Sequence, residues 1–311
     1  MAEIFLNTRE VAEYLQINEK QVYRLIRNGG LPCTRVTGKW LFPKSQVEEW
    51  VQHSARARSL SALRSSAAVV ERFGVDRGLL VAGSNDLLFD ALLEMTRQQH
   101  PEYLIYTINL GSFGGLDALK QGKAHVALAH LRDPATGNYN TPFLEQDFPH
   151  DTVVAVTLWR RRVGFLQRLG DGAPPVGTFS DLSQSNLRFI NRQRGSGIRW
   201  LVEQRMQEEN LKPSQIKGYT DDAWTHWEVG LAVLRRQADV GVATESVARA
   251  LGLSFQMLVE ERFDLVVPKD HYFTKPVQAV LEVLGSQALT ARAAALGGYA
   301  TNETGKIAFP E

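Results

Sequence analysis

The sequence predicts an α/β protein in which a small N-terminal module of short helices and a β-hairpin precedes a larger body of alternating strands and helices in two lobes. Three observations lead there. Short apolar segments ending in polar or glycine-bearing turns, each followed by helical periodicity, recur between residues 79 and 251. Two strand-like stretches, Thr152–Thr157 and Arg162–Leu166, separate one βα series from the next, as chain crossing between lobes would. The first fifty residues instead alternate in a pattern of two helices and a hairpin.

A chain of 311 residues that is 44% hydrophobic and 22% charged can form two or three ordinary globular domains. The start, Met1-Ala-Glu-Ile-Phe-Leu-Asn-Thr, has neither the basic nor the apolar region of a secretory signal, and no apolar run approaches a membrane span, so a cytoplasmic protein with no membrane partner is expected. A single cysteine, Cys33, excludes an internal disulfide framework and a thiolate metal cluster. Residues 1–64 carry ten Lys/Arg against six Asp/Glu, and the remainder carries 25 against 28. A basic N-terminal module on a mildly acidic body suits nucleic-acid contact at one end.

Asn7 or Thr8 caps a first helix, with Glu10 in its first turn and Val11, Ala12 and Leu15 on its apolar face. Asn18 and Gln21 have capping-box spacing at the start of a second helix, whose buried stripe is Val22, Leu25 and Ile26 and whose end is Gly29-Gly30. That leaves Lys20, Gln21, Tyr23, Arg24 and Arg27 toward solvent, an arrangement that fits a helix-turn-helix. Cys33–Val36 and Lys39–Phe42 alternate as two strands about Thr37-Gly38, a hairpin wing with Arg35 and Lys39 near its tip. Pro43 begins a third helix with Val47, Trp50 and Val51. The runs Leu6-Asn-Thr-Arg-Glu-Val-Ala-Glu-Tyr-Leu15, Val22-Tyr-Arg-Leu-Ile-Arg-Asn-Gly29 and Gly38-Lys-Trp-Leu-Phe-Pro43 resemble the excisionase-like winged helix-turn-helix family, relatives of MerR-type domains. The resemblance covers residues 5 to about 53 and implies binding to double-stranded operator DNA through Lys20, Gln21, Tyr23, Arg24 and Arg27 on the helix and Arg35 and Lys39 on the wing.

The expected domains are 1–53, a helical linker over 54–76, and a sensing body over 77–311. The linker is rich in Ala, Ser and Arg, and its Leu60, Leu63 and Val70 allow either pairing with a second chain or a plain solvated connector. In the body, Leu79–Ala82 is a strand followed by Gly83-Ser84-Asn85-Asp86 and a helix with Leu88, Leu92 and Met95. Tyr103–Leu110 leads to Gly111-Ser112-Phe113 and a helix ending at Gly122, and Ala124–Ala129 leads to His130. The second series places strand ends at Ile190, Tyr219 and Ala243, with helices beginning near Ser196 and Thr225. Phe263–Pro268 is a return strand and Lys275–Leu289 a closing helix, which puts lobe I at about 77–158 and 263–311 and lobe II at about 165–258. Such order predicts ligands at the carboxyl ends of the strands.

Ser84, Ser112, Ser196 and Thr244 each stand where a strand meets a helix, so hydroxyls and helix-start N–H groups from both lobes can converge on a small tetrahedral oxyanion. Arg194 or Arg192 adds a charge-assisted bond and Tyr219 a hydroxyl, while Gly195 lets the backbone approach so closely that a side chain there would crowd it. His130 and His226 read more readily as hydrogen-bonded structural residues than as ligands, although His130 stays in the candidate set with Asn85 and Phe113. Residues 79–289 resemble the two-lobed periplasmic binding-protein fold of type II, and are similar to cytoplasmic domains related to molybdate-binding proteins. The matching runs include Gly83-Ser84-Asn85-Asp86, Gly111-Ser112, His130-Leu-Arg-Asp133, Phe189–Gly197, Gly218-Tyr219, Thr225-His226 and Glu261–Leu265. One departure is Phe113-Gly114, where the family tends to carry a polar pair.

No nucleophile elbow, H-E-x-x-H, C-x-x-C or phosphate loop occurs, so no enzyme, cofactor or cation site is expected. The expected function is a one-component, homodimeric transcription regulator sensing a small oxyanion, with molybdate or tungstate first. The alternatives are a small organic anion on the same architecture and a DNA-architectural, excisionase-like protein.

Overall fold

A computed structural model describes residues 5–15, 17–27, 31–36, 39–48, 74–170, 172 and 174–309. Two compact units are present, Met1–Ser66 and Ala67–Glu311. The expected linker up to residue 73, the wing turn Thr37-Gly38, the glycine stop Gly29-Gly30, and Trp50 and Val51 lie outside the described residues.

In the N-terminal unit, α1 (Thr8–Tyr14) is held by a capping box in which Asn7 accepts from the amide of Glu10 and the Glu10 carboxylate accepts from the amide of Asn7. Asn18 and Gln21 make the equivalent pair at the start of α2 (Glu19–Arg27). Val11, Ala12, Val22, Phe42 and Val47 form the buried centre. The wing consists of β2 (Thr34–Val36) and β3 (Lys39–Pro43), and residues 44–48 begin α3. A strand that the sequence pattern did not suggest, β1 (Phe5–Leu6), pairs with β3 and makes the wing three-stranded.

The large unit begins with β4 (Gly78–Gly83), α4 (Leu87–Gln99), β5 (Leu104–Asn109), α5 (Gly111–Lys120), β6 (Val126–Ala129) and α6 (Thr141–Asp147). The chain then crosses on β7 (Val153–Gln167) into α7 (Phe179–Gln184), β8 (Phe189–Arg192), α8 (Gly197–Glu208), β9 (Asp222–Ala223), α9 (His226–Leu234), β10 (Val240–Thr244) and α10 (Glu245–Leu251). It returns on β11 (Ser254–Pro268) to α11 (Lys269–Tyr272), α12 (Lys275–Leu284), α13 (Gln287–Leu296), β12 (Tyr299–Ala300) and β13 (Ile307–Phe309). Along the sheet the order is β5-β4-β6-β11-β7-β10-β8-β9, with β12 and β13 also paired to β7. Parallel pairing within β5-β4-β6 and within β10-β8-β9 gives each lobe its own sheet, and the antiparallel pair β7·β11 runs through both.

Each lobe buries apolar side chains on both sheet faces. In lobe I, α4, α12 and α13 cover one face through Leu88, Leu92, Val280 and Val283, and α5 and α6 cover the other through Leu116, Leu119 and Leu144. In lobe II, α7 and α8 bring Phe179, Leu182, Leu201 and Val202, and α9 and α10 bring Val229, Val233 and Val247. Each such side chain, fully buried, contributes roughly 1.5–3 kcal/mol.

Several elements differ from the sequence expectation. Thr152–Thr157 and Arg162–Leu166 belong to one 15-residue strand, Val153–Gln167, because Arg160, Arg161 and Arg162 continue the ladder with β11 and all three are paired to acids. Ile216–Tyr219 is a turn, with Gly218 at φ +81, and the strand follows at Asp222–Ala223. The closing helix is broken at Gly285 into α12 and α13.

Candidate ligand-binding site

The carboxyl ends of both sets of parallel strands meet at the junction between the lobes. Gly111, at φ +72, opens α5 against the Gly195 loop of lobe II, and the Phe113 amide donates to the Gly195 carbonyl at 3.3 Å. A Cβ on Gly111 would stand 2.7 Å from that carbonyl, and one on Gly197 would stand 2.6 Å from Cε1 of His130. Asn109 closes the junction on another side by donating to the Trp224 carbonyl at 2.7 Å, just before α9. The starts of α5, α8 and α9 therefore converge here. A small cavity of about 40 Å³ lies within lobe I, lined by Ser84, Asn85, Asp90 and Asn109 among others and by no residue of lobe II.

Ser84, Ser112 and His130 are brought together and buried. The two hydroxyl oxygens lie 3.0 Å apart, Ser84 Oγ lies 2.9 Å from His130 Nε2, and the His130 amide donates to Ser112 Oγ at 3.2 Å. His130 Nδ1 faces Glu261 Oε2 at 3.0 Å. Burial holds the imidazole below its ordinary pKa in spite of Glu261, and His130 and Arg161 hold the Glu261 carboxyl below its ordinary range in spite of burial. A neutral His130 beside an ionised Glu261 donates from Nδ1, so Nε2 accepts from Ser84 and Ser84 accepts from Ser112. Both serine protons are thus committed within the protein.

Asp86 changes the expected role of the first helix start. Its Oδ1 accepts from the amides of Leu88 and Phe89, so α4 is capped by a carboxylate and its N-terminus is closed to anions. Its Oδ2 accepts from Arg161, and Tyr299 donates to it. Tyr299 reaches Ser246, and Ser246 reaches Thr244, so Thr244 belongs to the same buried network at one remove.

Lobe II contributes differently from the sequence expectation. Ser196 is the N-cap of α8, and its Oγ accepts from the Arg199 amide at 3.0 Å. Gly195 sits at φ +84 with open space where a side chain would stand, so its requirement is backbone conformation, and the crowded approaches are at Gly111 and Gly197. Arg194 is exposed; the buried arginine of this loop is Arg192. Tyr219 does not join the cluster, because its ring lies under Arg199 and its hydroxyl donates to Glu203 within lobe II. Phe113 packs edge-on against Phe143 and Trp200, an apolar contact that suits the junction better than the polar pair of the family pattern. Asn85 is half-buried and leaves Oδ1 without a partner.

Arg192 and His226 are the residues that sequence reasoning undervalued. Arg192 donates to the carbonyls of Ala223 and Trp224 and to Gln193, while its Nη1 has no partner. Burial and the nearby Arg161 press its pKa down to about 9, so it remains charged at neutral pH. His226 is buried with both ring nitrogens unpartnered, and burial together with Arg192, Arg161 and His130 lowers its pKa well below the ordinary value. The available signal was position, since both follow strand ends of lobe II.

A family model for a PBP superfamily domain matches residues 93–285 of this architecture. The chain belongs to the PBP superfamily. A helix-turn-helix domain model matches residues 5–54. The chain is 28% identical over 302 residues to the uncharacterized protein YvgK of Bacillus subtilis (strain 168), covering 96% of each. The PBP fold is similar to that of a phosphate ABC transporter substrate-binding protein with bound phosphate from Clostridium perfringens, with TM-score 0.55, 12% identity, and coverage of 70% of this chain and 97% of that one. It is similar also to the regulatory domain of MetR, a LysR-family regulator from N. meningitidis, with TM-score 0.52, 10% identity, and coverage of 72% and 97%. At such identities the likeness is one of fold. A helix-turn-helix domain joined to a PBP superfamily domain is the architecture of a ligand-responsive DNA-binding regulator. Among the described residues, no helix is long and apolar enough to cross a membrane, and no cluster of His, Cys, Asp or Glu could hold a metal ion.

In the helix-turn-helix, Lys20 stands exposed opposite the buried Val22, with exposed Tyr23 and half-buried Gln21 on the two flanks of α2. The side chains of Arg24, Arg27, Arg35 and Lys39 lie outside the described residues.

Proposed function

We propose that the protein is a one-component transcription regulator of the PBP superfamily that binds a small oxyanion between its lobes, molybdate or tungstate first, and is not an enzyme. The observation that carries the reading is the convergence of the α5, α8 and α9 starts on a buried polar junction crossed by two strands. Helix starts present positive partial charge and free N–H groups, which favour an anion. Closure over a ligand then changes the lobe arrangement that the paired DNA-binding domains respond to.

A homodimer is expected because helix-turn-helix regulators read two half-sites. Strand β5 supports it: it ends the sheet, and Leu104, Tyr106 and Ile108 stand exposed along it. Light scattering of the intact chain at micromolar concentration checks this, and a monomer both free and on DNA rejects it.

The ligand is tested by elemental analysis of the purified protein for Mo and W, with calorimetry against molybdate, tungstate, sulfate and phosphate. Tight binding of molybdate or tungstate over sulfate and phosphate is expected. Selective binding of phosphate would change the named ligand and keep the class, and indifference to all four would remove the oxyanion reading.

A further inference from the structure

We infer that the ligand's negative charge is received by a pair in lobe II, Arg192 and His226, and not chiefly by the serine hydroxyls. This inference rests on the oxyanion reading above and names the groups that carry it. Three observations lead to it: uncommitted hydrogen-bonding capacity, charge and place.

The Ser84–Ser112–His130 chain is closed on itself: each of its hydroxyl protons already has an acceptor inside the protein, whereas Ser196 Oγ accepts from its own helix and keeps one neutral O–H to donate. Beyond that one hydroxyl, buried donors without a partner must come from elsewhere. Among the described residues around this junction they are Nη1 of Arg192, Nη2 of Arg161, Nε2 of Gln193 and the single ring N–H of a neutral His226, both of whose ring nitrogens lack a partner. A buried polar group without a partner is destabilising, and a charged one more so, so these nitrogens are poorly matched to the ligand-free protein.

The second observation is charge. Arg161 is already paired to both Asp86 and Glu261, whereas Arg192 makes hydrogen bonds only to carbonyls and an amide, and its electrostatic partners Glu261 and Glu228 do not bond to it. Arg192 is the guanidinium still able to receive an anion. The third is place. Arg192 donates to the Trp224 carbonyl, which also accepts from Asn109 of lobe I, and His226 follows two residues later as the first residue of α9. That shared carbonyl sets the pair at the lobe junction, and the electrostatic influence of Arg192, Arg161 and His130 on His226 agrees with this place. The class of ligand is a compact anion that accepts from a guanidinium and an imidazole N–H at once; an uncharged ligand such as a neutral sugar would leave Arg192 uncompensated.

The test uses the intact chain, calorimetry against molybdate, tungstate, sulfate and phosphate, and thermal melting without ligand. His226→Phe removes no hydrogen bond and keeps a ring of similar size; Arg192→Met is the companion. The expected result is at least a 10-fold loss of affinity for whichever anion the parent binds in each variant, with the ligand-free melting temperature of His226→Phe unchanged or raised. Parent-like affinity in both variants overturns the inference and leaves the oxyanion reading standing. A ligand-free melting temperature lowered by several degrees in His226→Phe also overturns it, since the imidazole would then be a structural group. A parent protein that binds none of the four anions removes the oxyanion reading and this inference with it.

Discussion

Arg161 and Glu261 are register partners on the two strands that cross between the lobes, and Arg161 Nε donates to Glu261 Oε1 at 2.7 Å with both side chains buried. The same guanidinium donates to Asp86 at the start of α4 and lies 4.3 Å over the Phe263 ring, while Glu261 holds His130. One arginine therefore ties the crossing strands to the loop after β4 and, through Glu261, to the loop after β6. Its position explains why the chain passes through Arg160-Arg161-Arg162 as continuous strand: a turn there would pull the guanidinium out of this pocket.

Arg161→Met should be among the most destabilising substitutions in the large unit. It leaves Asp86 and Glu261 as buried carboxylates without their cation, a loss of about 3–5 kcal/mol. For a unit of this size that corresponds to a fall in melting temperature of roughly 6–20 °C. Thermal melting by circular dichroism checks it, and a shift of only a degree or two would mean that the pocket rearranges without the arginine.

Acid should weaken the ligand-free protein through its buried histidines, against an opposite contribution from Asp90, whose carboxyl pKa is raised to about 6 by burial and Asp86. His226 has a folded pKa well below 6.5, so above pH 6.5 it is neutral in both states and contributes nothing to the pH dependence. Below 6.5 the unfolded chain takes up a proton that the folded chain refuses, and stability is lost at up to about 1.4 kcal/mol per pH unit from this residue. His130 acts in the same direction. Melting temperatures from pH 7.5 to 5.0 should fall, and should fall less in His226→Phe; parallel slopes for parent and variant would assign the acid sensitivity to other groups.

Most of the fold was legible in the sequence because its signals are local. Glycine-bearing turns after apolar runs marked most strand ends, and Asn7, Asn18, Ser196 and Thr225 marked helix starts that are present. What escaped depends on distant pairing. Strands β1, β12 and β13 have two or three residues and exist because β3 or β7 offers an open edge. The site was legible as a set of strand ends but not as a distribution of charge. Ser84, Ser112 and His130 were identifiable as candidates, yet nothing local says that their protons are spent on one another. Likewise Arg192 and Arg194 are equivalent by spacing in a short loop, and only the tertiary fold buries one and exposes the other.

At the other end of the chain, Lys20→Ala should act through phosphate contact. Lys20 is exposed on α2, on the face left open by Val22 and the rest of the apolar stripe. Its loss should weaken binding to duplexes of any sequence and lower the slope of log affinity against log salt by about 1. Fluorescence anisotropy between 50 and 200 mM salt, roughly the range over which such slopes are read, measures this. An unchanged slope would place α2 away from the phosphates.

Gly197→Ala isolates lobe closure from the chemistry of the site. Gly197 is the first residue of α8 and does not need positive φ, so alanine suits its backbone and its helix. The added methyl, however, would stand 2.6 Å from Cε1 and 2.8 Å from Nδ1 of His130, a ring fixed on one side by Glu261 and on the other by Ser84. Either the lobes stop short of closing or His130 gives up Glu261, and both outcomes disturb the junction without removing any polar group. Ligand affinity should therefore fall roughly 10- to 100-fold, the cost of about 1.4–2.8 kcal/mol. The radius of gyration in solution scattering should stay at its ligand-free value at anion concentrations that compact the parent. Gly195→Ala is the control: it places a side chain at φ +84 in open space, so it carries a backbone cost of about 1–3 kcal/mol in stability without a clash across the junction. If Gly197→Ala compacts as the parent does, the contact between α8 and His130 is not what closure depends on.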